Sequence, residues 1–251
     1  MYKIAAVSYF NTLPFLYGLE HYNGINKLVN IQIDYPSKIA QQLLNNEIDI
    51  ALVPIVILRD NPDLKIITPR GIVADGVVAS VKLFSNKPLK QIDKILLDYQ
   101  SRTSVNLIRV LARFFWKIDP VWIQTKTDFH EQILNGRAAV VIGDRALQLL
   151  GQYKYEYDLA HEWKKFTHLP FVFAAWVSNK KIDNNFLSLF EQALDYGISN
   201  IEKVIEFYFD KTKVIRQFFD PLKYLTDLIK YRLSKKEYAS ISKFFYFLEQ
   251  L

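Results

Sequence analysis

The sequence predicts an α/β protein folded as two lobes, and three observations carry that expectation. Short runs rich in Ile and Val alternate with amphipathic helical patterns. Two long apolar stretches, residues 76–86 and 169–179, each ending in Ser-Asn, break that rhythm and lie about one small α/β lobe apart. From Ile182 onward the chain reads as helices only, with Phe, Tyr and Leu at three- and four-residue spacing. If both long stretches are strands that cross between lobes, residues 81–173 form one lobe. Residues 1–80 and 174–251 then form the other, which includes the helical C-terminal tail.

The elements follow in order. Strands are expected at residues 3–7, 29–35, 48–53, 92–97, 121–124 and 138–142, several of them continuous apolar runs of the kind buried on both faces. Ser37 suits the N-cap of a helix carrying Ile39, Leu43 and Leu44. Ser101 can cap a longer helix whose apolar face holds Val105, Ile108, Leu111 or Ala112, and Phe115. Asp128 can cap a third that ends near Gly136. This alternation points to mainly parallel sheets. No internal repeat, low-complexity tract or Gly/Ser linker interrupts it.

Composition removes several function classes. With 251 residues, half of them hydrophobic and 15% aromatic, the chain can fill a sizeable core, and disorder is not expected. It has no cysteine, which rules out disulfides, thiolate metal sites and a thiol nucleophile. The net charge of +6 invites a nucleic-acid partner. The densest basic spots, however, are only the pairs Lys164-Lys165, Lys180-Lys181 and Lys235-Lys236, and phosphate tracking needs a stripe. No nucleic-acid partner is expected. The opening Met-Tyr-Lys-Ile-Ala-Ala-Val-Ser is too short for a signal-peptide core, and no run is long enough to cross a bilayer. A cytoplasmic protein without a membrane partner is expected. His21, His130, His161 and His168 show no metal-ligand spacing, so no metal is expected. G-x-S-x-G, P-loop and G-x-G-x-x-G motifs are absent.

In an α/β fold, ligands sit beyond the carboxyl ends of strands, where helix N-termini point. Four polar clusters fall at such places or on the long stretches. The first, Ser8-Tyr9-Phe10-Asn11-Thr12, interrupts "AAVSYFNTLPF" after the first strand and holds more polar groups than a turn needs. The second is Ser80, between Ala79 and Val81, which could equally hydrogen-bond a neighbouring carbonyl. The third is Ser101-Arg102-Thr103-Ser104, which offers three hydroxyls and the N–H groups of a helix start. The fourth is Gly143-Asp144, after the strand at 138–142. Taken singly, Ser101 and Asp144 read first as helix caps. Trp176, on the second long stretch, is open between core and ligand contact.

The same residues carry a family resemblance. "AVSYFNTLPFLYGL" resembles the opening signature of chorismate dehydratases, with phenylalanine at position 10 where leucine is usual. The likeness continues through "YPSKIAQQLLNNEIDIALVPI", "ASVKLFSNKPL", "DYQSRTSVNLIRVL", "VIGDRALQL" and "LPFVFAAW", in order across nearly the whole chain. Arg145 stands where that family more often has a small residue. The resemblance implies a periplasmic-binding-protein-like fold of the second type, used as an enzyme. It implies conversion of chorismate to 3-[(1-carboxyvinyl)oxy]benzoate and water, the first dedicated step of the futalosine route to menaquinone, without a cofactor.

On that reading Asn11 and Ser80 are the catalytic residues. Ser8, Tyr9, Ser101, Thr103, Ser104, Asp144 and Trp176 are substrate contacts. The matching motifs hold no His or Glu, so the substrate's own enolpyruvyl carboxylate is the expected base, with Asp144 as its competitor. Lobe closure is expected to expel water from the site. The rival reading is a non-catalytic cytoplasmic binder of a small cyclic or aromatic dicarboxylate.

Overall fold

The computed structural model describes residues 1–126, 129, 132–133, 137–209 and 219–251, with Ser37 described by its backbone only. The helix expected between Asp128 and Gly136 therefore lies outside the described residues. The chain divides into two compact units, Met1–Val73 with Val172–Ser234, and Ala74–Phe171 with Lys235–Leu251.

The first half of the chain supplies β1 (Tyr2–Val7), α1 (Leu13–His21), β2 (Val29–Asp34), α2 (Pro36–Leu44), β3 (Ile50–Pro54), α3 (Ile57–Asp60) and β4 (Lys65–Ala74). There follow β5 (Val81–Ser85), β6 (Lys94–Leu97), α4 (Thr103–Val110), β7 (Val121–Gln124), β8 (Arg137–Ile142), α5 (Gly143–Gln148), β9 (Tyr155–Asp158) and α6 (Leu159–Thr167). The chain then returns through β10 (Phe171–Ser178), α7 (Asn184–Ser199), α8 (Ile201–Phe209), α9 (Pro221–Lys223) and β11 (Lys230–Arg232), and ends with α10 (Lys235–Glu249).

In the first unit six strands pair in the order β11-β4-β10-β3-β1-β2. β1 runs parallel to β2 and β3, while β10 runs antiparallel to β3. All five residues of β3 are buried, as its uninterrupted Ile-Ala-Leu-Val-Pro run requires of a central strand. Helices α1 and α7 pack through glycines. A Cβ on Gly18 would stand 1.9 Å from the Ala193 carbonyl oxygen, and one on Gly197 would stand 1.7 Å from that of Pro14. Only glycine permits this approach of two helix backbones. Asp183 starts α7 by accepting the Phe186 N–H at 3.0 Å. Arg70 of β4 fixes α7 from the sheet side with a bidentate pair to Asp195, both bonds 2.6 Å. That guanidinium holds the Asp195 carboxyl below the usual carboxylate range.

The second unit's five strands pair in the order β7-β6-β8-β5-β9. Phe84, Leu96, Ala139 and Val141 of the sheet pack with Phe129, Ile133 and Ala146. The helix expected from Ser101 begins at Thr103 and widens into π-helical turns at Leu111–Trp116, ending at Lys117 with φ 56°. Of its expected apolar face, Ile108, Leu111 and Ala112 are buried, and Val105 and Phe115 are half-buried.

Three expectations are corrected, and the compact units divide the chain elsewhere than the expected lobe boundaries. The sheets are mixed rather than mainly parallel, because β5 and β10 run against their neighbours. The tail is not purely helical: β11 pairs with β4, a three-residue edge strand too short to leave a pattern. The helix expected to be capped by Ser37 starts two residues earlier, at Pro36 after the cap residue Tyr35. The division also differs from the expected boundaries at 80/81 and 173/174. Residues 74–80 and 235–251 belong with the middle of the chain. The physical reason for the last is aromatic: Phe244 of α10 meets Trp163 and Phe171 edge-on at 5.9 and 5.1 Å. Ser240 also accepts the Trp163 indole N–H at 3.0 Å and donates to the Pro170 carbonyl at 2.5 Å.

Candidate functional site

The polar clusters fall at strand ends in each unit. In the first unit, β1 stops at Val7, and residues 10–12 form one 3-10 turn before α1. Ser8 is exposed and Tyr9 half-buried. Asn11 is buried, and its Oδ1 accepts the Thr12 hydroxyl at 3.2 Å. The Asn11 amide NH2 makes no hydrogen bond among the described residues, which leaves it as a neutral donor. Pro14 at the start of α1 fixes the backbone that follows.

In the second unit, β6 and β8 are parallel and β5 is antiparallel to β8. The C-terminal ends of β6 and β8 and the N-terminal end of β5 therefore share one edge of the sheet. Three of the four clusters meet there. Ser80 lies immediately before β5 and is 1% exposed. Its N–H closes on the Val78 carbonyl at 2.8 Å, across Ala79 at φ 63°. A three-residue turn with an L-residue in this region is rare, and costs about 1–2 kcal/mol. The Ser80 carbonyl accepts the N–H of Gly143 at 2.7 Å, which ties it to the start of α5 and so to Asp144.

The "DYQSRTS" segment is held by a residue that sequence reasoning passed over. Asp98 has a side chain with no exposure. It accepts N–H bonds from Gln100 at 3.0 Å and Ile142 at 3.1 Å. Arg145 donates to both its oxygens at 2.7 Å and to Gln100 at 3.1 Å. The guanidinium also lies over the Tyr99 ring, 5.4 Å from its centroid. Arg145 thus braces the β6 and β8 ends together. Ser101 accepts the Ser104 N–H at 3.0 Å, so its hydroxyl serves as the helix cap and takes up one donor of the expected cradle. Thr103 and Ser104 are both buried.

Trp176 stands elsewhere. It is wholly buried in the first unit, edge-on to Phe15 at 5.7 Å and Phe190 at 5.2 Å. Its side chain packs in the core of that unit, and its indole nitrogen is buried without a hydrogen-bond partner among the described residues. A further missed residue, Asp158, is 8% exposed and binds the backbone ahead of Ser80. Its position before Leu-Ala-His-Glu is a readable helix-cap signal, but nothing in that signal reveals the second task. Among the described residues no group of three or more His, Cys, Asp or Glu side chains could hold a metal ion. No helix among them is long and apolar enough to cross a membrane.

Comparison with known proteins gives a consistent family and fold. A family model described as "Menaquinone biosynthesis" matches residues 2–250. The chorismate dehydratase of Thermus thermophilus is 24% identical over 194 residues, covering 67% of this chain and 71% of that protein. Among solved structures, a protein from Archaeoglobus fulgidus superposes with a TM-score of 0.77 at 13% identity, covering 99% of this chain and 97% of that one. The periplasmic aliphatic sulphonate binding protein of Escherichia coli does so with a TM-score of 0.64 at 13% identity, covering 99% and 86%. The fold is periplasmic-binding-protein-like.

Proposed function

We infer the activity from the family to which this chain belongs, the menaquinone biosynthesis family: we propose that it is a hydro-lyase that dehydrates chorismate to 3-[(1-carboxyvinyl)oxy]benzoate. The observation that carries the reading is the match of the family model across residues 2–250, joined by a chorismate dehydratase relative at 24% identity. The placement of Asn11, Ser80 and the Ser101–Ser104 segment at strand ends supports it.

In the reaction a ring C–H proton and a ring hydroxyl leave together as water, and the C–H electron pair completes the aromatic ring. Aromatisation makes the overall step downhill. The barrier lies in taking a weakly acidic proton and releasing a poor leaving group. Orientation of the reacting groups and fixed hydrogen-bond donors can lower such a barrier by several kcal/mol each. Asn11 supplies a neutral amide donor, and Ser80 a hydroxyl. Their role is to orient the substrate and hydrogen-bond the departing oxygen. The N-terminal turn of α4, with Thr103 and Ser104, suits one of the substrate's carboxylates. The base is the substrate's enolpyruvyl carboxylate.

Asp144 tests the assignment of the base. Asp144→Asn is expected to keep kcat within about 10-fold of wild type, well short of the loss typical for a general base. A loss of roughly 1,000-fold with chorismate binding intact would make Asp144 the base instead. The activity itself is tested with purified protein and chorismate, without added cofactor, by mass-detected chromatography and thermal melting. A product lighter by one water supports the dehydratase. A raised Tm without turnover supports a dicarboxylate binder.

A further inference from the structure

The turn that carries Ser80 is closed by a carboxylate from a different element. Asp158 ends β9 opposite Lys82 of β5. Its Oδ2 accepts two consecutive backbone N–H groups, from Val78 at 3.0 Å and Ala79 at 2.7 Å. Its Oδ1 accepts the His161 N–H at 3.1 Å and so caps α6. Ala79 is one of four non-glycine residues with positive φ among the described residues, and it stands directly before Ser80. An alanine does not stay in that conformation unless its surroundings hold it there. Two N–H groups drawn onto one carboxylate oxygen, with the Ser80 N–H turned back onto Val78, are such surroundings.

We propose that Asp158 is a positioning residue for the dehydration: its carboxylate clamps the Val78–Ala79 backbone in the positive-φ turn and thereby sets where the Ser80 hydroxyl stands. The proposal rests on the reading of Ser80 given above. Sequence alone would assign Asp158 only to the helix cap. The bifurcated pair to residues 78 and 79 is not needed for a cap, and a cap does not explain why the second oxygen spans to another segment. Burial pushes the Asp158 carboxyl up, opposed by the three N–H donors and by Lys82.

The test separates the two tasks. Asp158→Ser keeps a hydroxyl suited to capping α6 but is too short to reach residues 78 and 79. Amide exchange at Val78 and Ala79 is expected to accelerate at least about 10-fold in this variant, while Val140 and Val141 of β8 keep wild-type rates. With chorismate, kcat is expected to fall about 100-fold with KM little changed, the effect of a displaced catalytic group. In a Ser80→Ala background the same substitution is expected to add no further loss. Ala79→Gly, which adopts positive φ without a Cβ clash, is expected to restore part of the kcat of Asp158→Ser. Unchanged exchange at Val78 and Ala79 overturns the clamp. Equal losses of kcat with serine or alanine at position 80 overturn its action through Ser80. Should the wild-type protein turn over no chorismate, the dehydratase reading fails, and the clamp stands or falls on the exchange rates.

Discussion

Gly197→Ala is expected to lower the stability of the first unit by about 3 kcal/mol or more, the upper range for overpacking a close contact. The added methyl would lie 1.7 Å from the Pro14 carbonyl oxygen and 2.9 Å from the Gly18 nitrogen. Both are backbone atoms, so no side chain can turn aside. The helices must separate, and α1 moves with its first turn. That turn follows directly on Asn11 and Thr12. In thermal melting the transition is expected to fall by roughly 6–12 °C. Gly18→Ala should behave alike, since its methyl would stand 1.9 Å from the Ala193 carbonyl oxygen. An unchanged melting temperature in both variants would refute the glycine contact.

The second large effect concerns Arg145. Arg145→Met is expected to cost about 3–5 kcal/mol, because it leaves the Asp98 carboxylate, wholly buried, without its counter-charge. The two N–H donors from Gln100 and Ile142 remain, but they do not replace a guanidinium held on both oxygens. Adding Asp98→Asn to Arg145→Met should recover part of the loss, since a neutral amide needs no cation. Denaturant unfolding of the two single variants and the double variant measures this directly. A loss under about 1 kcal/mol for Arg145→Met, or strict additivity in the double variant, would contradict the account. The same brace explains how this chain accommodates an arginine after Gly143-Asp144: its charge is directed onto Asp98 at the end of β6.

The strands legible in the sequence were those with short apolar runs or, at residues 29–35, alternation of apolar and polar residues. Residues 121–124 form β7 as expected, and 3–7, 29–35 and 138–142 differ from β1, β2 and β8 by one residue. β4 was not legible because Pro69 and Gly71 interrupt its pattern. A Cβ on Gly71 would meet the Ala174 carbonyl oxygen at 2.5 Å, so the glycine serves sheet contact rather than a turn. The amphipathic face of α10 was legible, but amphipathicity does not say which surface will cover it. Its partners, Trp163 and Phe171, come from α6 and β10.

At the candidate site the cap reading was legible at Ser101 but not at Asp144, which lies inside the first turn of α5 rather than ahead of it. Ser101 accepts the Ser104 N–H as its position predicts. The left-handed turn at Ala79 was invisible, because alanine, unlike glycine, advertises no positive φ. Asp98 and Asp158 were invisible for a related reason. Each binds backbone far away in sequence, Asp98 at Ile142 and Asp158 at Val78 and Ala79. Local patterns carry no record of such partners. Trp176 was ambiguous on its strand because both faces of that strand are apolar, and its packing against Phe15 and Phe190 could not be read from the strand alone.

The central claim is that this chain removes water from chorismate by means of neutral donors, with Asn11 foremost among them. The most direct measurement is the rate of appearance of a product lighter by one water, for wild type and for Asn11→Ala, with chorismate as sole substrate. The account predicts turnover by the wild type and a kcat lower by about 100- to 1,000-fold in Asn11→Ala, the loss typical of removing one donor to a developing oxyanion. A wild-type protein that leaves chorismate intact would contradict the activity. An Asn11→Ala variant as fast as wild type would contradict the role given to Asn11.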